Sequence, residues 1–343
     1  MQTKFKTLFS TLFLTAPLLL PHTAQAEGKL TVYCSVQNNV CEDMMKKFSA
    51  QYQVETQFIH GGTGTIFGRI KAEKENPQAD VWYGGTIEPH FQAAQLGLLA
   101  PYRSPKQAET LPQFQSLLTQ KGEFTSIVYM LVLGFGVNTE KLAKLGVDKP
   151  KTWADLLDPR LKGEVQLPDP RSSGTTYTII ATLIQLWGEE KAFAFLKQLD
   201  ANISQYVKSS LVTTNLSRGE SAVTIGFVHS YTTEKEKGAP VEAVLPQDGV
   251  GYALGGTSII KGARNLDNAK LFTDWVLSKE AQELPWREHG VYQIPTNVNA
   301  EVAPQSVKLD GIKLVELDFD RFGSSEEGKR LVDKWLAEVK LAK

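Results

Sequence analysis

The sequence is short of the residues that most often announce chemistry. Of its 343 residues only two are cysteine and five are histidine. No histidine stands in an H-E-x-x-H arrangement, which excludes a zinc hydrolase of that type. No G-x-S-x-G elbow, no cysteine–histidine arrangement and no pair of carboxylates within one motif points to hydrolysis. A basic excess is missing as well: 37 Lys and Arg stand against 38 Asp and Glu. That balance offers no field for nucleic acid. No apolar run approaches the ~18 residues of a membrane span, and there is no internal repeat, low-complexity tract or block of like charge. An enzyme is unsupported, so a non-enzyme without cofactor or metal is expected.

What is present begins at the N-terminus. MQTKFK is a short basic segment, TLFSTLFLTAPLLL is an apolar core too short to span a bilayer, and Ala24-Gln25-Ala26 is a small-x-small cleavage site. Residues 1–26 therefore read as a signal peptide, and the mature chain is expected to be soluble and exported. Its loss removes Lys4 and Lys6, leaving 35 basic against 38 acidic side chains and a net charge of −3. In an oxidising compartment the close pair Cys34 and Cys41, with no histidine between them, suits a disulfide better than a metal site. Such a bridge would hold the turn at 35–39 between a strand and a helix. Two buried free thiols are the alternative.

The mature length suggests two domains or lobes, each with its own core. Strand-like runs alternate with helical ones in KLTVYCS, EDMMKKFSAQY, VETQFI, TIFGRIKAEKE and ADVWYGG, then again from GEVQLPDP to VEAVLP. That alternation predicts α/β layers with largely parallel sheets. Between the two sets, IVYMLVLGFGVN is a long apolar run that could cross from one lobe to the other, and VGYALGGTSIIKG could cross back. The expected division is 27–127 with 251–295 for lobe one, and 128–250 with 296–343 for lobe two. Near the end, Ser324 to Glu327 reads as a capping box for a helix striped by Leu331, Trp335, Leu336 and Val339.

Two helix starts share one chemistry. HGGTGTIFGRIKAE, residues 60–73, sets glycines and threonines before a helix; no third glycine completes G-x-G-x-x-G, and no Lys-Ser or Lys-Thr pair makes a Walker loop. PDPRSSGTTYTIIATLIQLWG, residues 168–188, repeats the theme in the second set. Either could be a tight turn with Thr63, Thr65, Ser172 or Ser173 as N-cap. Together, across a crevice at the carboxyl ends of strands, they could seat an anion, because a helix N-terminus carries roughly half a positive charge. His229, at the end of TIGFVHS, would open onto the same crevice.

The ordered set VYCS, GGTGT, QADVWYGG, GFGVNTEKL, KTWADLLDPRLKGEVQLPDP, SSGTTY, IGFVHSY and GYALGGTSIIKGARN resembles the periplasmic solute-binding proteins of ABC importers. Within them it resembles the branch of ferric-iron, phosphonate and hexose-phosphate binding proteins. The resemblance implies a two-lobed α/β fold of type II with crossing hinge strands and an interlobe cleft. Iron-binding members use two adjacent tyrosines where Val228 and His229 stand here, a histidine near the first turn and a glutamate near Gly85; this chain has none of the four at those positions. Hexose-phosphate members carry Phe-x-His-Asp and Gly-Tyr-Glu, whose acids take sugar hydroxyls. Here those segments end in Ser230 and Ala253.

The resemblance thus implies a periplasmic receptor that captures a small phosphate ester and delivers it to an inner-membrane ABC permease, acting as a monomer. The phosphate is expected at Ser35, Thr63, Gly64, Thr65, Ser173, Gly174, Thr175 and Ser209. The organic part is expected against His229, Ser230, Tyr231, Tyr252 and Trp82, with pyridoxal phosphate favoured over a sugar phosphate. The three aromatics could equally be ordinary core.

Overall fold

The computed structural model describes residues 28–340; the expected signal peptide lies outside them. Ten strands are described: β1 Lys29–Cys34, β2 Glu55–His60, β3 Val81–Thr86, β4 Ser126–Asn138, β5 Val165–Pro168, β6 Ile203–Val207, β7 Val223–Phe227, β8 Val241–Val244, β9 Tyr252–Ile259 and β10 Ile294–Pro295. They run in the order β2-β1-β3-β9-β4-β7-β5-β6, with β8 and β10 both paired to β4. β1 is parallel to β2 and β3, and β5 is parallel to β6 and β7. Two parallel blocks thus form, as the alternating sequence predicts. The strands between them are antiparallel.

β4 makes the join. Its thirteen residues, SIVYMLVLGFGVN, are buried throughout, which is why the run carries no polar alternation. Ser126 to Val132 pair with β9, whereas Leu133 to Val137 pair with β7. One stiff strand thus belongs to both blocks, and bending between its halves would rotate one against the other.

Each block has its own core. In the first, the Asn38–Tyr52 helix buries Val40, Cys41, Met44, Met45 and Phe48 at helical spacing, and Phe48 meets Phe272 and Trp275 at 5.1 and 5.5 Å. In the second, the Gly174–Trp187 helix buries Ile179, Ile180, Leu183 and Ile184 beside Trp153 and Phe195. The C-terminal helix Ser325–Trp335 starts as its sequence predicts, Ser324 Oγ accepting from the Glu327 N–H at 3.3 Å. Leu331, Trp335 and Val339 are buried, and Trp335 packs on Tyr206 at 4.9 Å. That helix also touches the first block, where the Ser325 N–H donates to Gln95 Oε1. The division into lobes stands as our proposal, with residues after 295 in contact with both.

Candidate functional site

Cys34 and Cys41 are disulfide-bonded, joining the end of β1 to the Asn38–Tyr52 helix. Ser35 lies within this loop, its Oγ accepting from Trp82 Nε1 at 3.2 Å and its N–H donating to the Tyr83 carbonyl. β3 ends beside it in Gly84-Gly85-Thr86, both glycines left-handed with φ of 81° and 84°. The Gly85 N–H donates to Tyr129 Oη of β4 at 2.8 Å. A Cβ on Gly85 would collide with the Thr63 side chain. Bare backbone is therefore required where β3 meets the first helix start.

That start is the Thr63–Ala72 helix. Gly62 is its N-cap, with no side-chain cap hydrogen bond, so neither Thr63 nor Thr65 caps it. Thr63 is buried and its Oγ1 accepts from the Thr86 N–H at 3.3 Å; Thr65 is exposed. The second start, Gly174–Trp187, has Ser173 at its N-cap, again without a side-chain cap hydrogen bond. The turn before it is closed by backbone, Ser172 N–H and Ser173 N–H both donating to the Asp169 carbonyl. Arg171 is exposed and bonded to Asp169. The capping role that both sequences suggest is thus unused, and first-turn N–H groups are left without intrahelical acceptors.

The two starts face one another. A Cβ on Gly64 would stand 2.9 Å from the Ser172 carbonyl carbon, and one on Gly62 would stand 3.0 Å from Ser172 O and 3.9 Å from Ser209 Oγ. A Cβ on Gly174 would collide with Thr86 Oγ1 and lie 3.1 Å from Thr63 Oγ1. Within this junction Ser173 Oγ is buried without a hydrogen-bond partner, and Thr86 Oγ1 is buried with no partner of ordinary geometry, the nearby Glu88 carboxyl being its polar neighbour. A buried hydroxyl left unmade costs about 1–3 kcal/mol, so two of them at converging helix starts mark a place built for an acceptor. Thr86 was missed from sequence, although its position at the end of a strand that abuts a glycine turn was a usable signal.

His229 is the next orphan. It is buried, its Nδ1 has no partner, and burial pushes it down to about 4, so it is neutral near pH 7. Its Nε2 lies 3.3 Å from Gln37 Nε2, in the disulfide loop, and 3.3 Å from Ser230 Oγ. Gln37, also missed, reaches His229 from the opposite block. The aromatics differ. Trp82 is fully buried and stacked on His90 at 3.7 Å. Tyr231 is buried against Gly136 and Gly226, and Tyr252 packs edge-on to Phe319 at 6.1 Å. Trp82 and Tyr231 therefore belong to packing, the ordinary-core alternative. Thr175 is half-buried beside Gly226, and Ala253 is fully buried.

A separate hollow of about 420 Å³, lined by residues including Tyr33, Glu73, Leu98 and Lys261, shares none of these side chains. Its Glu73 is bonded to Tyr33 and Arg69, and it holds no unpartnered buried polar atom. The converging helix starts remain the better candidate.

Residues 76–321 match the family of bacterial extracellular solute-binding proteins. The chain belongs to that family. It is 73% identical to the periplasmic binding protein P5PA, whose solved structure matches with a TM-score of 0.90 over 91% of this chain and 99% of that one. AfuA from Actinobacillus pleuropneumoniae, solved with exogenous fructose-6-phosphate bound, is 54% identical, with a TM-score of 0.89 over 92% of this chain and 99% of that one. A Haemophilus influenzae protein is 53% identical over 97% of each chain. The solute-binding protein therefore has the two-lobed type II fold, with β4 and β9 as the strands between lobes. It is the binding component of an ABC transporter, with a ligand and a membrane permease as its partners, and its homologues are periplasmic binding proteins rather than enzymes.

Proposed function

We propose that this protein captures a small phosphate ester in the periplasm, preferring pyridoxal 5'-phosphate, and hands it to an inner-membrane permease. The observation that carries the reading is the pair of buried hydroxyls where two helix starts face each other: Ser173 Oγ, unpartnered at the second start, and Thr86 Oγ1, at the end of β3 beside the first. Neutral donors and helix N-termini suit a phosphate group, and hydrogen bonds to a charged acceptor contribute about 1.5–3 kcal/mol each. Thr63, Gly64, Ser173, Gly174 and Thr175 would surround it, with Ser35 and Ser209 adding donors.

The preference for a flat organic part rests on Ser230 and Ala253, which stand where hexose-phosphate members carry the two acids that take sugar hydroxyls. His229 and Ser230 would meet it. A hexose phosphate is the second reading, favoured by the 54% identity to AfuA, which was solved with fructose-6-phosphate. Mass spectrometry of protein purified without added ligand, followed by side-by-side titrations of pyridoxal phosphate, glucose 6-phosphate and fructose 6-phosphate, decides between them. Pyridoxal phosphate is expected to bind at least tenfold more tightly, about 1.4 kcal/mol. Preference for either hexose phosphate would overturn the flat-ligand reading and leave the phosphate seat standing. Release of inorganic phosphate from any of the esters would instead reveal an enzyme.

A further inference from the structure

Glu88 stands two residues beyond Thr86, at the start of the Glu88–Gln95 helix. It is fully buried, and neither carboxyl oxygen has a hydrogen-bond partner of ordinary geometry. No lysine, arginine or histidine among the described residues pairs with it. An ionised carboxylate in such a place is costly unless paired, and the cleft it adjoins is the one proposed above for an anion.

The groups that face it supply no positive charge. From the Gly174–Trp187 helix Tyr177 is close enough to be affected by its charge, and its hydroxyl donates to the Phe322 carbonyl at 2.7 Å. From β9, Tyr252 is similarly affected. Around Tyr177, Arg321, Arg330 and Glu327 are paired among themselves at 2.7–2.8 Å. On its own helix, His90 is pushed down to about 3 by burial and bonds Ser258 Oγ and the Gly84 carbonyl. On the Thr63–Ala72 helix, Arg69 is bonded to Glu73, and Lys71 lies over the Phe67 ring. Burial pushes the Glu88 carboxyl up to about 7, opposed more weakly by its own backbone N–H and by the Thr86 hydroxyl.

We propose that Glu88 is a proton-holding positioning residue of the anion seat, which frees the Thr86 hydroxyl to donate to the bound phosphate. Ionised, the carboxylate would draw the Thr86 proton to itself, turn oxygen lone pairs toward the phosphate and repel it. Protonated, the carboxyl donates to Thr86 Oγ1, and the threonine proton is available to the ligand. Binding a phosphate dianion then takes up a proton from solvent at Glu88. The sign follows: affinity is highest where Glu88 is protonated and falls as pH rises above neutrality, by up to about tenfold per unit.

This inference rests on the phosphate reading, and the test separates the two. Pyridoxal phosphate and fructose 6-phosphate are titrated by calorimetry into the wild type and Glu88→Gln, from pH 6 to 8.5, in buffers of different ionisation enthalpy. Wild type is expected to take up protons near pH 7.5 and to weaken about five- to tenfold from pH 7 to 8. Glu88→Gln, which keeps the shape and the donor, is expected to show neither beyond the ester's own ionisation near pH 6, which is common to both proteins. Equal proton numbers and equal pH slopes in two proteins that bind the ester would overturn the role of Glu88. Binding of neither ester would overturn the phosphate reading instead. The carboxyl-carbon resonance missing from Glu88→Gln then decides the remainder: a midpoint near neutrality keeps Glu88 as a buried proton holder, and one near the ordinary value of about 4.3 removes it.

Discussion

The two helix starts use the same residue types in different ways. At the first, the hydroxyl is already engaged: Thr63 Oγ1 accepts from the Thr86 N–H, and glycines let the opposite backbone approach. At the second, the turn is closed by the Asp169 carbonyl, so Ser173 Oγ is left buried and unspent. The first also lies beside a disulfide-closed loop, and the second has no covalent brace. The difference teaches that one start is built for close approach and the other holds donor capacity in reserve.

The strongest way to break this comparison is to fill the space between the starts. Gly174→Ala adds a methyl group that collides with Thr86 Oγ1, while alanine suits a helix better than glycine by about 1 kcal/mol. Phosphate-ester affinity is expected to fall about hundredfold or more, roughly 2.7 kcal/mol, and the ligand-free protein to lose about 1–3 kcal/mol of stability, because the clash is present without ligand as well. Calorimetry together with a melting curve checks both halves.

Removing the brace tests the first start alone. With Cys34 and Cys41 both replaced by serine, unfolding stability should drop by about 2–3 kcal/mol on the chain-entropy account of a short loop, measured by urea titration. A thiol titration of the unfolded, unreduced wild type should find no free cysteine.

The reserve at the second start is probed by Ser173→Ala, which removes the unpartnered hydroxyl and leaves the backbone turn intact. Affinity is expected to fall about tenfold, within the 1.5–3 kcal/mol of a hydrogen bond to a charged group. Unchanged affinity would place the phosphate elsewhere. The smallest effect should come from Thr65→Val, since Thr65 is exposed and does not cap its helix. Less than about twofold is expected for a surface change away from such features, and a tenfold loss would restore Thr65 to the set of donors.

Most of the fold was legible because its signals are local. Alternating strand and helix runs, the apolar β4 segment and the stripe of Leu331, Trp335 and Val339 each follow from period and burial within a few residues. The close pair Cys34 and Cys41 likewise pointed to its own bridge. Site membership was only partly legible. Ser173, Gly174, Thr63 and Gly64 were readable as glycine- and hydroxyl-bearing helix starts. Trp82 and Tyr231 were not separable from core, since an aromatic ring near a strand end looks the same in sequence whether it lines a cleft or stacks on His90. Gln37, Thr86 and Glu88 carry no motif at all, and their significance arises from what lies opposite them.

The sequence by itself determined the two α/β halves, the crossing strand, the disulfide and the residue chemistry of two helix starts, because each depends on neighbours along the chain. Only the tertiary structure decided that those starts converge, that Gly64 and Gly174 are bare because another backbone and Thr86 Oγ1 stand within contact of them, that Ser173 Oγ is buried without a partner, and that Thr86 and Glu88 are buried with no ordinary partner beyond each other. Burial and pairing are properties of surroundings, and here those surroundings come from segments roughly a hundred residues apart, joined by the packing of one sheet across β4.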